Sequence, residues 1–372
     1  MRRVSLVLLS SIILFSNELA FANLPPQGPF FESRVIFQAD DRFSAHSYPT
    51  IAVLPDGRLF MTWTVSENKK PRIVGAFSGD GGKTWGDPEE LINTPGFGDY
   101  DPNIIVAKDE IQVYSTSTPL PQKLISYSET WKTTRKFKGS QWNRPEKMPQ
   151  LRKYLVGKIH VGLTLRDGTL VMPYSWDIPA EMGKPVTSEG KMNLKSGALL
   201  SRDNGRTWTP SADIYTEPPQ TTEFSTLGVD EPGMVLLKNG EVYALLRTGD
   251  VWLYESRSGD GAKTWTVPKP SPLQGHNTPS ALWRLKGSRD VVVVWNNSPR
   301  NRWPLDVALS KDNARTWSKP KTLANSVGFQ ASYPSVTQAA DGIIIAVWQQ
   351  DRADKKGRDL HIARFNRAWL LK

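Results

Sequence analysis

Four copies of one eight-residue pattern, Ser-x-Asp-x-(Gly/Ala)-(Lys/Arg)-Thr-Trp, constrain this chain more than any other feature. They run Ser78 to Trp85, Ser201 to Trp208, Ser258 to Trp265 and Ser310 to Trp317. Asp followed by Gly or Asn suits a tight turn between two strands, and the Asp carboxylate can accept bonds from the turn's own amides. Ser and Thr add local hydrogen bonds, and the Trp is expected to pack its indole under the hairpin. These turns are structural rather than catalytic, and they mark an all-β chain.

The spacing gives the architecture. Asp203, Asp260 and Asp312 stand 57 and 52 residues apart, and Asp80 precedes Asp203 by 123, about two periods. A degenerate copy is therefore expected between them, with Ser126-Tyr-Ser-Glu-Thr-Trp131 as its remnant. A second repeat counts independently: turns at Leu54–Gly57, Ala107–Glu110, Leu165–Gly168, Leu237–Gly240, Leu285–Ser288 and Ala339–Gly342 each lead into a β-rich run such as Asp290-Val-Val-Val-Val-Trp295. Six such hairpins at roughly 58 residues each match four-stranded blades with their loops. The fold class expected is all-β, a six-bladed β-propeller, with Ser33–Phe37 and Asp359–Phe365 sharing the closing blade.

Residues 1–22 read as a secretory signal peptide. Arg2 and Arg3 precede an apolar run from Val4 to Phe15, and Ala20-Phe21-Ala22 supplies a small-x-small cleavage site. The run is too short to span a membrane, so stable membrane insertion is not expected and the chain is placed outside the cytoplasm, secreted or periplasmic. Residues 23–372 then form a single propeller domain, expected as a monomer. The chain has no cysteine, which excludes disulfides and thiolate metal sites. Its formal charge of +10 falls to +9 without the leader and suits an acidic glycan partner. No basic helix or nucleic-acid module is present, so nucleic acid is not an expected partner. Nothing in the sequence demands a cofactor.

Setting the repeats in register exposes a second pattern. A Pro stands seven residues before the turn Asp/Asn in most units, in His46-Ser-Tyr48-Pro49, Asp101-Pro102, Glu231-Pro232, His276-Asn-Thr-Pro279 and Tyr333-Pro334; in the third unit His160 takes the Pro position. Pro at a strand start is structurally ordinary. The ring beside it reads Tyr48, Asp101, Ile159, Glu231, Thr278 and Tyr333, and two Tyr with two carboxylates at one channel mouth suggest catalysis. Three of the four His, namely His46, His160 and His276, fall near the same ring. Arg247, Arg302, Arg352 and Arg358 are candidates for binding an acidic group bidentately.

On these motifs, on Asp230–Thr248, Arg302-Trp-Pro-Leu305 and Ser332-Tyr-Pro-Ser335, the chain resembles the sialidase (neuraminidase) superfamily, and most nearly its bacterial Asp-box, or BNR-repeat, branch. The resemblance covers residues 30–370. It implies an exo-glycoside hydrolase that retains configuration through a Tyr nucleophile. Tyr suits an anomeric carbon bearing a carboxylate, and a Glu takes the phenolic proton. Carried over, Tyr333 is the nucleophile, Glu231 its partner, and Arg247 and Arg302 bind the sugar carboxylate. Tyr48, His46, His160, His276 and Arg352 are further substrate-binding candidates. The chain departs from the family in two places. Ser47-Tyr48-Pro49 stands where sialidases usually have Arg-Ile-Pro, and the loop Thr64–Arg72 that should supply the acid/base Asp contains none, leaving Glu67 or Asp101.

Two alternatives stay open on sequence alone. One is a lyase or hydrolase acting on a uronate glycan, with a mouth His as base or three His around a metal. The other is a non-catalytic glycan-binding propeller.

Overall fold

The computed structural model describes residue 26 and residues 28–121, 128–149, 155–156, 161–181, 192–221 and 227–372. The leader at 1–22, and Ile159 and His160 of the ring pattern, lie outside the described residues.

The strands follow one another as antiparallel meanders because apolar runs alternate with turn signals along the whole chain. After β1 (Phe31–Phe37), the first meander is β2 (Ala45–Val53), β3 (Leu59–Glu67), β4 (Lys70–Ser78) and β5 (Glu89–Ile92). The second is β6 (Phe97–Val106), β7 (Glu110–Pro119), β8 (Glu129–Lys136) and β9 (Glu146–Lys147). In the third, β10 (Leu155–Val156) and β11 (Leu163–Thr164) both pair with β12 (Leu170–Asp177). A short helix α1 (Ile178–Glu181) precedes β13 (Asn193–Ser201) and β14 (Thr209–Pro210).

The fourth is β15 (Leu227–Leu236), β16 (Val242–Thr248), β17 (Trp252–Ser258) and β18 (Lys269–Gln274). The fifth is β19 (Ala281–Arg284), β20 (Val291–Asn296), β21 (Leu305–Ser310) and β22 (Lys321–Ala324). The last is β23 (Ala331–Gln338), β24 (Ile344–Asp351) and β25 (Arg358–Phe365), before the terminal helix α2 (Arg367–Leu371). Its outer strand is β1, paired antiparallel with β25 from Phe31 opposite Phe365. The two ends of the chain thus meet in one sheet, as the terminal runs predict.

The apolar residues do not gather at one centre. Among the described residues each buried cluster lies between two consecutive meanders, and one of them, with Ile51, Trp63, Val347 and Ile362, joins the last meander to the first. Where the third and fourth meanders touch, Gly228 has φ +75° and a Cβ there would stand 2.1 Å from the Leu194 carbonyl oxygen, so only glycine fits.

The repeated Asp turns sit between the third and fourth strands of their meanders and share one geometry. In the last copy the Asp312 Oδ1 atom accepts from the Ser310 hydroxyl (2.8 Å) and the Thr316 amide (2.9 Å), and Oδ2 accepts from the Thr316 hydroxyl (2.6 Å). In the second copy the Thr207 hydroxyl and amide, with Ser201, hold the Asp203 carboxyl well below the usual carboxylate range. The indoles do more than pack under their own hairpins. Trp208 joins the cluster shared with the second meander, through Tyr114 and Ile105, and Trp317 packs on the one shared with the fourth. Each box therefore ties its meander to the one before it.

One expectation needs correcting. The degenerate box does not fall at Ser126–Trp131, whose described end opens strand β8. The position equivalent to the other boxes is the β8–β9 connection, where Phe137 and Trp142 pack onto the cluster between the first two meanders. The Ser and Asp of the pattern are gone there, and the Trp is kept. The last meander needs no box, because its fourth strand comes from the other end of the chain.

Replacing Asp312 by Ala removes bonds that no neighbouring group can replace. The expected result is a loss of about 1–2 kcal/mol, seen as a thermal midpoint lowered by about 1–3 °C with the native circular dichroism spectrum kept.

Candidate active site

All the Asp turns and first hairpin turns lie at one end of the strands, so the starts of the first strands converge at the other. There the backbone does something unusual. Tyr48, Asp101, Glu231 and Tyr333 have φ of +54°, +50°, +43° and +54°, each inside a strand and each immediately before a proline. At each of them the pairing register slips, between Ser47 and Thr50, Tyr100 and Asn103, Asp230 and Gly233, and Ser332 and Ser335. A left-handed non-glycine residue costs about 1 kcal/mol or more, and such strain concentrates at functional sites. The bulge breaks strand alternation and turns each of these side chains toward the mouth. In the fifth meander the left-handed residue is Asn277, at φ +45°, rather than Thr278, whose buried hydroxyl donates to Asn296 Oδ1.

Arg247, on β16, is the hub. Its Nη1 donates to Glu231 Oε2 at 2.7 Å and to the Tyr333 hydroxyl at 3.4 Å, while its Nε donates to Asn277 Oδ1 at 2.7 Å. The side chains of Arg247 and Glu231 are only 11% and 7% exposed. Burial works against the Arg247 charge, but Glu231, Tyr333 and Asp230 more than offset it, so the guanidinium is held protonated. Arg302 lies beside them: its Nη2 donates to the Asn277 carbonyl at 2.7 Å, and its guanidinium sits 5.3 Å from the Tyr333 ring centre. Tyr48 meets Tyr333 edge to face at 4.7 Å, with its amide held by Gln349 Oε1.

Burial and the Glu231 charge raise the Tyr333 phenol above its ordinary value, against the pull of Arg302 and Arg247. Its hydroxyl is therefore neutral near pH 7 and needs a base to become a nucleophile. Asp101 is 9% exposed, and its charge acts on both Tyr48 and Tyr333.

Two groups the sequence did not single out belong here. Asn277 orients both guanidinium groups, one through its side chain and one through its carbonyl. Its signal was its place in the same pre-proline stretch, one residue before the aligned position. Asp230 is buried behind Glu231, whose amide donates to its Oδ1 at 2.7 Å. Burial first, and then the Glu231 charge, push its carboxyl up to about 7. A carboxylate directly before the pre-proline Glu was visible in the sequence, but its burial was not.

Other candidates are placed elsewhere. Each carboxylate oxygen of Glu67 is held by a guanidinium, Oε1 by Arg42 at 2.9 Å and Oε2 by Arg72 at 2.5 Å, which leaves it a surface ion-pair residue rather than an acid for the site. His46 is 3% exposed among Phe37, Phe43 and Trp63, and its Nδ1 accepts from the Trp63 indole at 3.0 Å, so it is a core residue. Arg352 donates to the Ala39 carbonyl and pairs with Asp354, bracing the β24–β25 turn. Arg358 is the better placed of the two: its Nη1 reaches Ser47 Oγ at 3.3 Å and its Nε binds Asp351 at 2.6 Å. His276 lies beside Arg302, and burial followed by the Arg302 charge lowers its pKa, keeping it neutral. Among the described residues no group of three or more His, Asp or Glu is arranged to hold a metal.

The raised Asp230 carboxyl makes a pH prediction. Unfolding returns it to an ordinary Asp near 3.8, so the folded state holds the extra proton between about pH 4 and 7 and stability falls as pH rises through that window. Asp230→Asn keeps the acceptor without the charge. Its melting temperature relative to the parent is expected to rise from pH 4 to pH 8, and a pH-independent difference would contradict the assignment.

Residues 101–346 match the BNR repeat-like domain family. A search of curated protein sequences returns no match. Among solved structures the fold is similar to a Dyadobacter fermentans protein of unknown function, with a TM-score of 0.74 at 17% identity over 91% of this chain and 99% of that one. It is also similar to Trypanosoma rangeli sialidase bound to the inhibitor DANA, with 0.73 at 16% identity over 92% and 61% of the two chains. The Hadza microbial sialidase Hz136 gives 0.71 at 15% identity over 90% and 68%. The chain thus spans 61% of the trypanosomal sialidase and nearly all of the Dyadobacter protein.

Proposed function

The chain belongs to the BNR repeat-like family, within the sialidase superfamily, and from that premise we propose that it is an exported exo-glycoside hydrolase. Its meanders are the six blades of a propeller, its first 22 residues a leader removed on export, and its substrate a glycan ending in a carboxylated sugar such as sialic acid. The observation that carries this reading is the single Arg247 nitrogen bridging Glu231 and the Tyr333 hydroxyl.

The chemistry follows from the charges. The sugar carboxylate enters between Arg247 and Arg302, and drawing Arg247 toward it frees Glu231 to act as a base. Arg358, which reaches the Ser47 position where relatives of this fold class are expected to carry an arginine, adds positive charge on the same side through Tyr48. Tyr333 attacks the anomeric carbon while its phenolic proton passes to Glu231, and the bond to the aglycone oxygen breaks as Asp101 gives that oxygen a proton. In the second step Asp101 takes a proton from water, the water oxygen bonds to the anomeric carbon, and Tyr333 leaves with the proton held by Glu231. Configuration is retained. A neutral phenol suits this centre because an incoming carboxylate nucleophile would meet the sugar's own anion.

Of the His candidates for the uronate alternative, His46 is walled into an aromatic core, His276 lies beside the Arg302 charge, and His160 is outside the described residues. Among the described residues no helix is long and apolar enough to cross a membrane.

Release of the fluorophore from a fluorogenic sialoside tests the proposal. Tyr333→Phe is expected to lower kcat by about a thousandfold. Asp101→Asn should slow natural sialosides far more than the activated aryl sialoside, which needs little help from an acid. Glu67→Gln should stay within about twofold of the parent. A well-folded parent without turnover, or a Tyr333→Phe variant that matches it, would overturn the assignment.

A further inference from the structure

The end of the molecule opposite the mouth carries a feature that the proposed chemistry does not use. A groove of about 740 Å³ runs between the first three meanders, past Pro55, Lys108, Thr164 and Arg202. Arg202 also walls the next cleft, of about 420 Å³, lined by Thr207, Thr209, Pro210 and Lys263. At its inner end the groove shares Val106 and Thr164 with the axial channel, of about 330 Å³. Channel, groove and cleft thus adjoin in sequence from the axis toward the rim, a track with Lys108, Arg202 and Lys263 along it.

Several cations at this end are paired, Arg58 with Asp56, Lys136 with Asp109 and Glu110, and Arg257 with Glu241. Lys108, Arg202 and Lys263 are exposed, and among the described residues their side-chain nitrogens have no ion pair or hydrogen bond. The nearby acids are occupied: Asp167 accepts from the Thr169 amide, and Asp203 is engaged by Ser201, Arg206 and Thr207. The remaining walls mix threonine and serine hydroxyls, the Asn204 amide, proline rings and aliphatic side chains such as Leu170 and Leu200. No aromatic residue lines either the groove or the cleft, so there is no platform on which nucleobases would stack.

We propose that this track is a second binding site, one that holds an extended anionic polysaccharide across the face opposite the mouth. Exposed cations set among hydroxyl-bearing walls suit a flexible polyanion that also offers hydroxyls, and the overall pI of about 9.6 favours its approach. Such a site keeps an exported enzyme on an acidic glycan matrix while its mouth faces away toward chain ends.

The test is binding, read without turnover. Chondroitin sulfate is titrated calorimetrically into the mature chain, with neutral dextran, duplex DNA and phosphatidylserine vesicles as comparison ligands. The triple variant K108A/R202A/K263A is expected to bind chondroitin sulfate about tenfold or more weakly, with an unchanged melting temperature and unchanged hydrolysis of a small aryl sialoside. K69A/K319A/K356A removes equal charge from other exposed positions and should bind nearly as the parent does. Tyr333→Phe should also bind as the parent does, so the result stands apart from the fate of the hydrolase assignment. The proposal is overturned if the parent does not bind, if both triple variants lose affinity alike, or if DNA or vesicles bind as tightly as the polysaccharide.

Discussion

A buried guanidinium holds the mouth of this fold together. Arg247 joins Glu231 of its own sheet to Asn277 of the next and to Tyr333 of the one beyond, so three meanders meet on one charge. Taking both members of such a pair out of water costs several kcal/mol per ion, which the mutual attraction recovers only where the geometry is good. With Arg247 removed, Glu231 and Asp230 would be left as adjacent buried carboxylates without compensation. The arrangement is thus stable only when occupied by a positive group, and the same group is free to attract an incoming anion.

The backbone underneath explains how four side chains of three unrelated types reach one place. Four of the first strands break their alternation at a left-handed residue before proline, and the break re-aims the side chain toward the mouth. That conformation is unfavourable for Tyr, Asp and Glu alike, and it is sustained by the sheet on both sides and by local bonds such as those from the Glu231 amide to Ser175 and Asp230. The Asp turns at the far end contribute rigidity. Their carboxylates close the turns, and their Trp side chains bind each meander to its predecessor.

The architecture was legible because it rests on local rules repeated along the chain. The Asp turns and the first hairpin turns are each written within eight residues, and aligning them was enough to bring Tyr48, Asp101, Glu231 and Tyr333 to one rim. What alignment cannot carry is contact between distant segments. Ser47 and Arg358 are 311 positions apart, and Arg247 and Asn277 are 30. His46 shares the register of the ring, yet Trp63 opposite it claims its imidazole for the core. The same limit misplaced the worn box, since Trp131 and Trp142 both pack in that cluster and only strand pairing separates their roles.

The central claim is that Tyr333 becomes covalently attached to the sugar. Intact-protein mass spectrometry after incubation with a 2,3-difluorinated sialic acid, followed by peptide mapping, tests it directly. The account predicts one added glycosyl group per chain, located on Tyr333 and absent from Tyr333→Phe. An adduct on another residue, or turnover of sialosides with no adduct, would contradict it.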